Sequence, residues 1–142
     1  MNSRGRRSWL PAALLAGVLY FLAGTIFGFI AGAAATLQGV KLWRFAAFFL
    51  CGVFFAVHVL CERLLLRSDT LETAWHVALG AAVGGFLLAV GANAHAWQAH
   101  SGNLGKLAFA LVAWPVVTAV PAFVLAWIAA AVLRGRRTQR SV

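Results

Sequence analysis

The sequence predicts an all-α membrane protein with four antiparallel transmembrane helices, of which the first and third are rich in glycine. Its 142 residues are 63% hydrophobic and 11% charged, with a mean hydropathy of +0.87. A chain of this length cannot bury so much apolar surface in one aqueous core. The apolar residues also fall into four runs, each long enough for the roughly 20 residues that a spanning helix needs.

The predicted helices cover residues 10–36, 42–66, 73–97 and 107–133, and the joints between them are short and polar. Short joints make neighbouring helices run antiparallel, so both termini are expected on one side of the membrane. Because no segment outside the helices is large enough to fold alone, residues 1–142 are predicted to form a single domain.

The first helix follows three arginines and ends near the alanines at 33–35, a pattern that resembles a secretory signal peptide with its cleavage site. The apolar run is longer than a usual signal core, so we expect it to be retained as a spanning helix. Gly24, Gly28 and Gly32 stand four apart and form a bare stripe on one side of this helix. Glycine lets a second helix approach closely in a bilayer, so all three are predicted packing positions.

The second helix carries several phenylalanines and both cysteines of the chain, Cys51 and Cys61. Ten residues along one helix correspond to roughly 15 Å, which is beyond the reach of a disulfide. The third helix carries Gly80 and Gly84, a second predicted packing pair. The fourth helix contains two internal prolines, which predict a kink because each removes a backbone hydrogen bond.

The four histidines, His58, His76, His95 and His100, raise the question of a haem or metal site. On antiparallel helices His58 and His76 are expected at different depths, whereas two axial haem ligands lie at the same depth. Neither a carboxylate nor a thiol joins the histidines at a spacing familiar from zinc sites. We therefore expect no cofactor and no metal. An ionisable residue as deep as His58 is still a functional candidate, the alternative being a neutral ring bonded to a carbonyl of an adjacent helix.

The net charge of +9 is unevenly distributed. Most arginines, including Arg63 and Arg67, fall on the predicted side of the termini, and Lys41, Arg44 and Lys106 fall on the other. These basic residues are suited to bind anionic headgroups such as that of cardiolipin. The alternative interpretation is that they only set the topology and extend their side chains to the membrane surface. The positive-inside rule would place the termini in the cytoplasm or an organelle matrix. Nucleic acid is not an expected partner, because the basic residues form no continuous patch.

The second and third helices resemble the mitochondrial import translocase family, the preprotein and amino acid transporter group of the inner membrane. The family pattern runs from a small residue and an aromatic residue, through Arg and Asp, to two glycines. The residues that match it are Gly52, Phe55, Arg67, Glu72, Gly80 and Gly84. The glycine-rich first helix is similar to the first helix of the family.

The match departs from the family pattern at four points. Arg67 and Glu72 each come one residue late, Glu72 replaces Asp, and Leu79 stands where the family has a small residue. Asp69 is an alternative acidic member, with a different shift in spacing. The resemblance implies termini in the intermembrane space, and we adopt this topology over the one that the charges favour.

The resemblance implies one of two functions. The family's core translocase subunits guide basic segments along a partly acidic cavity, whereas accessory members serve in respiratory complexes. Here Glu62, Asp69 and Glu72 cluster at one joint, and a strongly basic chain would repel basic clients. We therefore expect a non-catalytic accessory subunit of a mitochondrial inner-membrane respiratory complex, with the membrane arm of the NADH:ubiquinone oxidoreductase favoured. Its partners would be other membrane subunits and phospholipid. A subunit of an import translocase, or an unrelated membrane protein, is the alternative.

Overall fold

The computed structural model describes residues 9–100 and 103–139. Helices account for almost all of them, and each of the four is long and apolar enough to cross a membrane. This confirms the prediction of an all-α, multi-pass membrane protein. The helices are α1 (Trp9–Gly32), α2 (Leu37–Leu60), α3 (Thr70–Gln98) and α4 (Leu104–Gln139), and a π-helical turn, Cys61–Leu65, extends α2.

Capping side chains set the starts of three helices earlier than the hydropathy predicts. The Thr36 hydroxyl accepts a hydrogen bond from the Gly39 amide at 3.1 Å, so α2 begins at Leu37 and the joint before it is 33–36, not 37–41. Asp69 caps α3 in the same way, and the Asn103 side chain accepts from the first amides of α4. Short polar side chains at these positions satisfy amides that would otherwise lack partners in the first turn.

The helices α1 and α3 lie side by side and run in the same direction. An added Cβ on Gly80 would lie 3.1 Å from the carbonyl oxygen of Ala13, and one on Gly84 would lie 3.1 Å from that of Gly17. The residue numbers of the contacting positions therefore increase in the same direction along both helices. The bare surface of α3 is what allows the backbone of α1 to approach so closely.

The sequential neighbours α1 with α2, and α3 with α4, run in opposite directions. In each pair, residues later along one helix lie against residues earlier along the other. Between α1 and α2, Phe27 contacts Trp43, and Ala16 and His58 line one pocket. Between α3 and α4, Trp75 contacts Phe123, and Thr118 donates a hydrogen bond to the Ala81 carbonyl. The beginning of α1 thus lies at the same end of the bundle as the joint between α2 and α3, residues 66–69. We call this the joint end.

A small apolar core closes the joint end. Val59 of α2, Ala74 and Val77 of α3, and Ala126 of α4 are buried against one another, with Phe55 and Phe123 packed around them. Three helices therefore converge here, and α1 reaches the same end through Trp9, which stacks on α3.

The direction of the helices predicts which positions share a side of the membrane. In a background of Cys51→Ala and Cys61→Ala, a thiol at Arg67 should react from one side, and thiols at Gln38 and Gln98 should react from the other. All three positions are exposed at helix ends or in a joint. Labelling of single-cysteine variants with an impermeant maleimide in sealed vesicles measures this. Labelling of Gln38→Cys and Arg67→Cys from the same side would contradict the four-helix arrangement.

Candidate functional site

Glu62 is a fully buried carboxylate within the segment long enough to cross the membrane, Leu37–Leu65. It lies in the π-helical turn, where the Leu66 amide donates to the Cys61 carbonyl five residues earlier at 3.1 Å. Turns of this kind occur frequently at functional sites. An ionised carboxylate at such a place costs several kcal/mol unless other groups compensate it. The partners of Glu62 therefore decide what it can do.

Two side chains from outside α2 contact the same oxygen of Glu62. The Ser68 hydroxyl donates to Oε2 at 2.8 Å, and Nδ1 of His76 lies 2.8 Å from that oxygen. The second distance is in the range of a charge-assisted hydrogen bond between imidazolium and carboxylate. Through these contacts Glu62 links the end of α2 to the joint and to the first turns of α3.

Trp9 adds α1 to the same group of residues. Its indole stacks on the imidazole of His76, with ring centroids 4.3 Å apart and planes within 3° of parallel. The stack fixes the plane of the imidazole whose Nδ1 contacts Glu62. His76 thus lies between the Trp9 indole, on which it stacks, and the Glu62 carboxylate, which its Nδ1 contacts.

His58 approaches the other oxygen of Glu62 from one turn earlier on α2. Its Nε2 is 3.8 Å from Oε1, which is too far for a hydrogen bond. The side chain is 5% exposed, and both ring nitrogens and Glu62 Oε1 lack a hydrogen-bond partner. The ring rests on Gly80, where an added Cβ would lie 3.1 Å from His58 Cε1. The imidazole therefore fits against α3 because Gly80 has no side chain there.

The joint is shaped so that its side chains point back to Glu62. Arg67 adopts a left-handed backbone conformation with φ of 55°, which reverses the chain. The Ser68 amide then donates to the Glu62 carbonyl at 3.0 Å, and Arg63 Nη1 donates to the Ser68 carbonyl at 2.7 Å. A capping box between Asp69 and Glu72 fixes the start of α3.

The arrangement can hold a proton and tie helices together. Imidazole is the side chain whose charge ordinarily changes between pH 5 and 8, and the carboxylate that faces these two rings is fully buried. In the part of the chain that the structure describes, no group of three or more His, Cys, Asp or Glu side chains could hold a metal ion. We name Glu62, His58, His76 and Ser68 the Glu62 cluster.

The interpretation of these histidines from the sequence was incomplete. It compared the depths of His58 and His76 with each other, whereas each of them faces Glu62. Two signals in the sequence point to the cluster. His58 and Glu62 are four residues apart and so share a helix face. Glu62 and His76 each lie seven residues from Asp69 in the joint, which places them at equal depth on two antiparallel helices. The alternative of a His58 ring bonded to a carbonyl is wrong, because both of its nitrogens are unpartnered.

The predicted glycine positions divide into two groups. Gly80 and Gly84 lie against α1, and an added Cβ on Gly24 would lie 3.0 Å from the Leu88 side chain. An added Cβ on Gly28 or Gly32 meets nothing within 4 Å among the described residues, so no other described helix packs closely on these two positions. Sequence analysis instead missed Gly17, where a Cβ would lie 2.6 Å from Val83 and 3.0 Å from the Gly80 carbonyl oxygen.

The other residues that match the family pattern take varied positions. Gly52 contacts nothing within 4 Å of an added Cβ, and Phe55 packs on the core of the joint end. Arg67 and Glu72 are exposed, in the joint and in the first turn of α3.

The basic positions proposed for headgroups lie at both ends of α2. Lys41 and Arg44 are exposed in its first turns, at the end opposite to the joint. Arg67 is exposed in the joint, and the half-buried Arg63 uses its guanidinium to hold the Ser68 carbonyl.

Comparison with protein-family models, curated proteins and solved structures finds no match for this chain. The resemblance to the import translocase family stays a prediction that rests on the motif residues and the glycine-rich first helix.

Proposed function

We propose that the chain is a non-catalytic structural subunit of a larger membrane complex. The observation that carries this proposal is the distribution of buried polar groups. Among the described residues, the buried polar or charged side chains are those of His58, Glu62, Ser68 and Thr73. All of them lie at the joint end, where Glu62, Ser68 and Thr73 form hydrogen bonds and His58 faces Glu62.

The other half of the interior is lined mainly by small apolar residues, and the Tyr20 hydroxyl is a buried polar atom there. The buried positions there include Ala23 and Ala31 of α1 and Gly84, Gly85 and Ala89 of α3. A path for an ion or a polypeptide needs polar side chains across the whole membrane, because an uncompensated charge in hydrocarbon is costly. A polar cluster confined to one end favours a role in holding helices together over a role in transport.

The finer placement that we propose is the mitochondrial inner membrane, in the membrane arm of the NADH:ubiquinone oxidoreductase. It is supported by the resemblance to accessory members of the translocase family. The partners are neighbouring membrane subunits, which would cover the lateral faces of the bundle, and phospholipid. Exposed Lys41 and Arg44 offer positive charge to an anionic headgroup such as that of cardiolipin.

Purification of the tagged full chain in a mild detergent tests the structural role. We expect it to migrate with other membrane subunits as one large species. In mitochondria, depletion of the chain should lower the amount of assembled NADH:ubiquinone oxidoreductase before the import of a basic presequence slows. A chain that migrates alone would contradict the structural role. An import defect that precedes any loss of the respiratory complex would favour the translocase alternative.

A further inference from the structure

We propose that His58 and Glu62 form a proton-binding site that closes when His58 becomes charged. One proton leaves the water at the joint end and forms an N–H bond on the His58 ring, and Nε2–H then donates to Glu62 Oε1. The charge of the cluster rises by one. The observation behind this is that His58 Nε2 and Glu62 Oε1 face each other at 3.8 Å, both buried and both without a partner.

A proton satisfies these two atoms better than a water molecule does. Both atoms are inaccessible to water in the structure, and a bridging water needs a polar site with room for it. A charged imidazole needs only to move closer, to the roughly 2.8 Å of a charge-assisted hydrogen bond. His58 also borders a pocket of about 140 Å³ between α1 and α2, lined in addition by Ala16 and Cys61, so the ring is not tightly enclosed there.

The proton goes to His58 because the carboxylate is already held in its ionised form. Oε2 of Glu62 lies within hydrogen-bond distance of Ser68 Oγ and His76 Nδ1, and contacts of this kind favour an anion. His76 is committed to that oxygen and to the Trp9 indole. His58 remains as the group that faces a carboxylate and has free nitrogens.

The charged and titratable groups around His58 are compatible with one added proton. Between Trp9 and Gly32, α1 carries no charged residue. On α2 and its π-helical turn, Cys61 lies beside His58 in the same pocket, and the Arg63 guanidinium is directed to the Ser68 carbonyl. On α3 the facing group is His76, while Asp69 and Glu72 are engaged in the helix cap.

Closure of this site would change the packing of three helices. The His58 ring and the Ala13 carbonyl both rest on Gly80, each 3.1 Å from the position of an added Cβ. A movement of His58 toward Glu62 alters that contact and hence the seating of α1 on α3. The joint end of the bundle thereby becomes sensitive to the pH of the compartment that it faces.

Nitrogen-15 NMR of histidine-labelled full chain in lipid bilayers, between about pH 5 and 8, tests the proposal. The His58 signals should change from neutral to cationic across that range. In the Glu62→Gln variant the midpoint for His58 should fall by about 1 to 3 pH units, because the facing negative charge is gone. Exposed His95 serves as the internal control and should titrate alike in both proteins. A His58 ring that is still neutral at pH 5, or an equal midpoint in both proteins, would overturn the proposal.

A second measurement does not depend on a change at Glu62. The chain has two glutamates, so Glu72→Gln leaves Glu62 as its single one. The infrared carboxylate band of carbon-13-labelled Glu62 should persist down to pH 5 in this protein. Appearance of a protonated carboxyl band, with His58 remaining neutral, would place the proton on Glu62 and overturn the proposal.

Discussion

Replacement of Glu62 by alanine should lower the free energy of unfolding by about 3 to 5 kcal/mol, the range observed when one partner of a buried ion pair is removed. The carboxylate is fully buried and contacts both Ser68 and His76 at 2.8 Å. Without it, the charge or the unpaired nitrogen of His76 stays in the membrane-spanning region. Reversible unfolding of the chain in mixed detergent micelles measures the change.

Glu72→Ala is the matched control for this prediction. Glu72 is exposed and contributes to the capping box of α3, so its removal should cost about 1 kcal/mol or less. An equal and small effect of Glu62→Ala and Glu72→Ala would show that Glu62 does not hold the joint end together.

Replacement of Gly84 by leucine should separate α1 from α3 and destabilise the bundle by about 1 to 3 kcal/mol. An added Cβ at this position would lie 2.8 Å from Tyr20 Cβ and 3.1 Å from the Gly17 carbonyl oxygen. Neither atom belongs to the free end of a flexible side chain, so the helices themselves must move. The same unfolding measurement applies.

Gly28→Leu provides the control on α1, since nothing lies within 4 Å of a Cβ there. In detergent, where the chain has no partner, we expect its stability to stay within about 0.5 kcal/mol of the parent. If Gly28→Leu lowered the free energy of unfolding as much as Gly84→Leu, the packing of α1 on α3 described above would be contradicted.

The sequence predicts the number of helices well because hydropathy reports directly on membrane spans. The helix starts are harder to predict. Thr36 and Asp69 act as caps through single side-chain hydrogen bonds, and such bonds move a boundary by several residues without changing the apolar pattern. The glycine stripe on α1 illustrates a second difficulty. Spacing shows which residues share a face, but not at which of them a neighbouring helix comes close, so Gly28 and Gly32 look equivalent to Gly24.

The candidate site was harder to predict than the fold. His58, Glu62 and His76 are visible in the sequence, but their meeting depends on the length and shape of the joint. The left-handed conformation of Arg67 and the bond from the Ser68 amide to the Glu62 carbonyl bring the two helices into register. The stack of Trp9 on His76 depends further on where α1 begins, which apolar composition leaves undefined.

A double-mutant cycle between Glu62 and His76 tests most directly the claim that this pair ties α2 to α3. The unfolding free energies of the parent, Glu62→Ala, His76→Ala and the double variant give the coupling energy, and effects on other contacts of each residue cancel. We expect a coupling of at least about 1.5 kcal/mol, because the two groups share a short hydrogen bond in a buried site. Additive effects, within about 0.5 kcal/mol, would contradict the account.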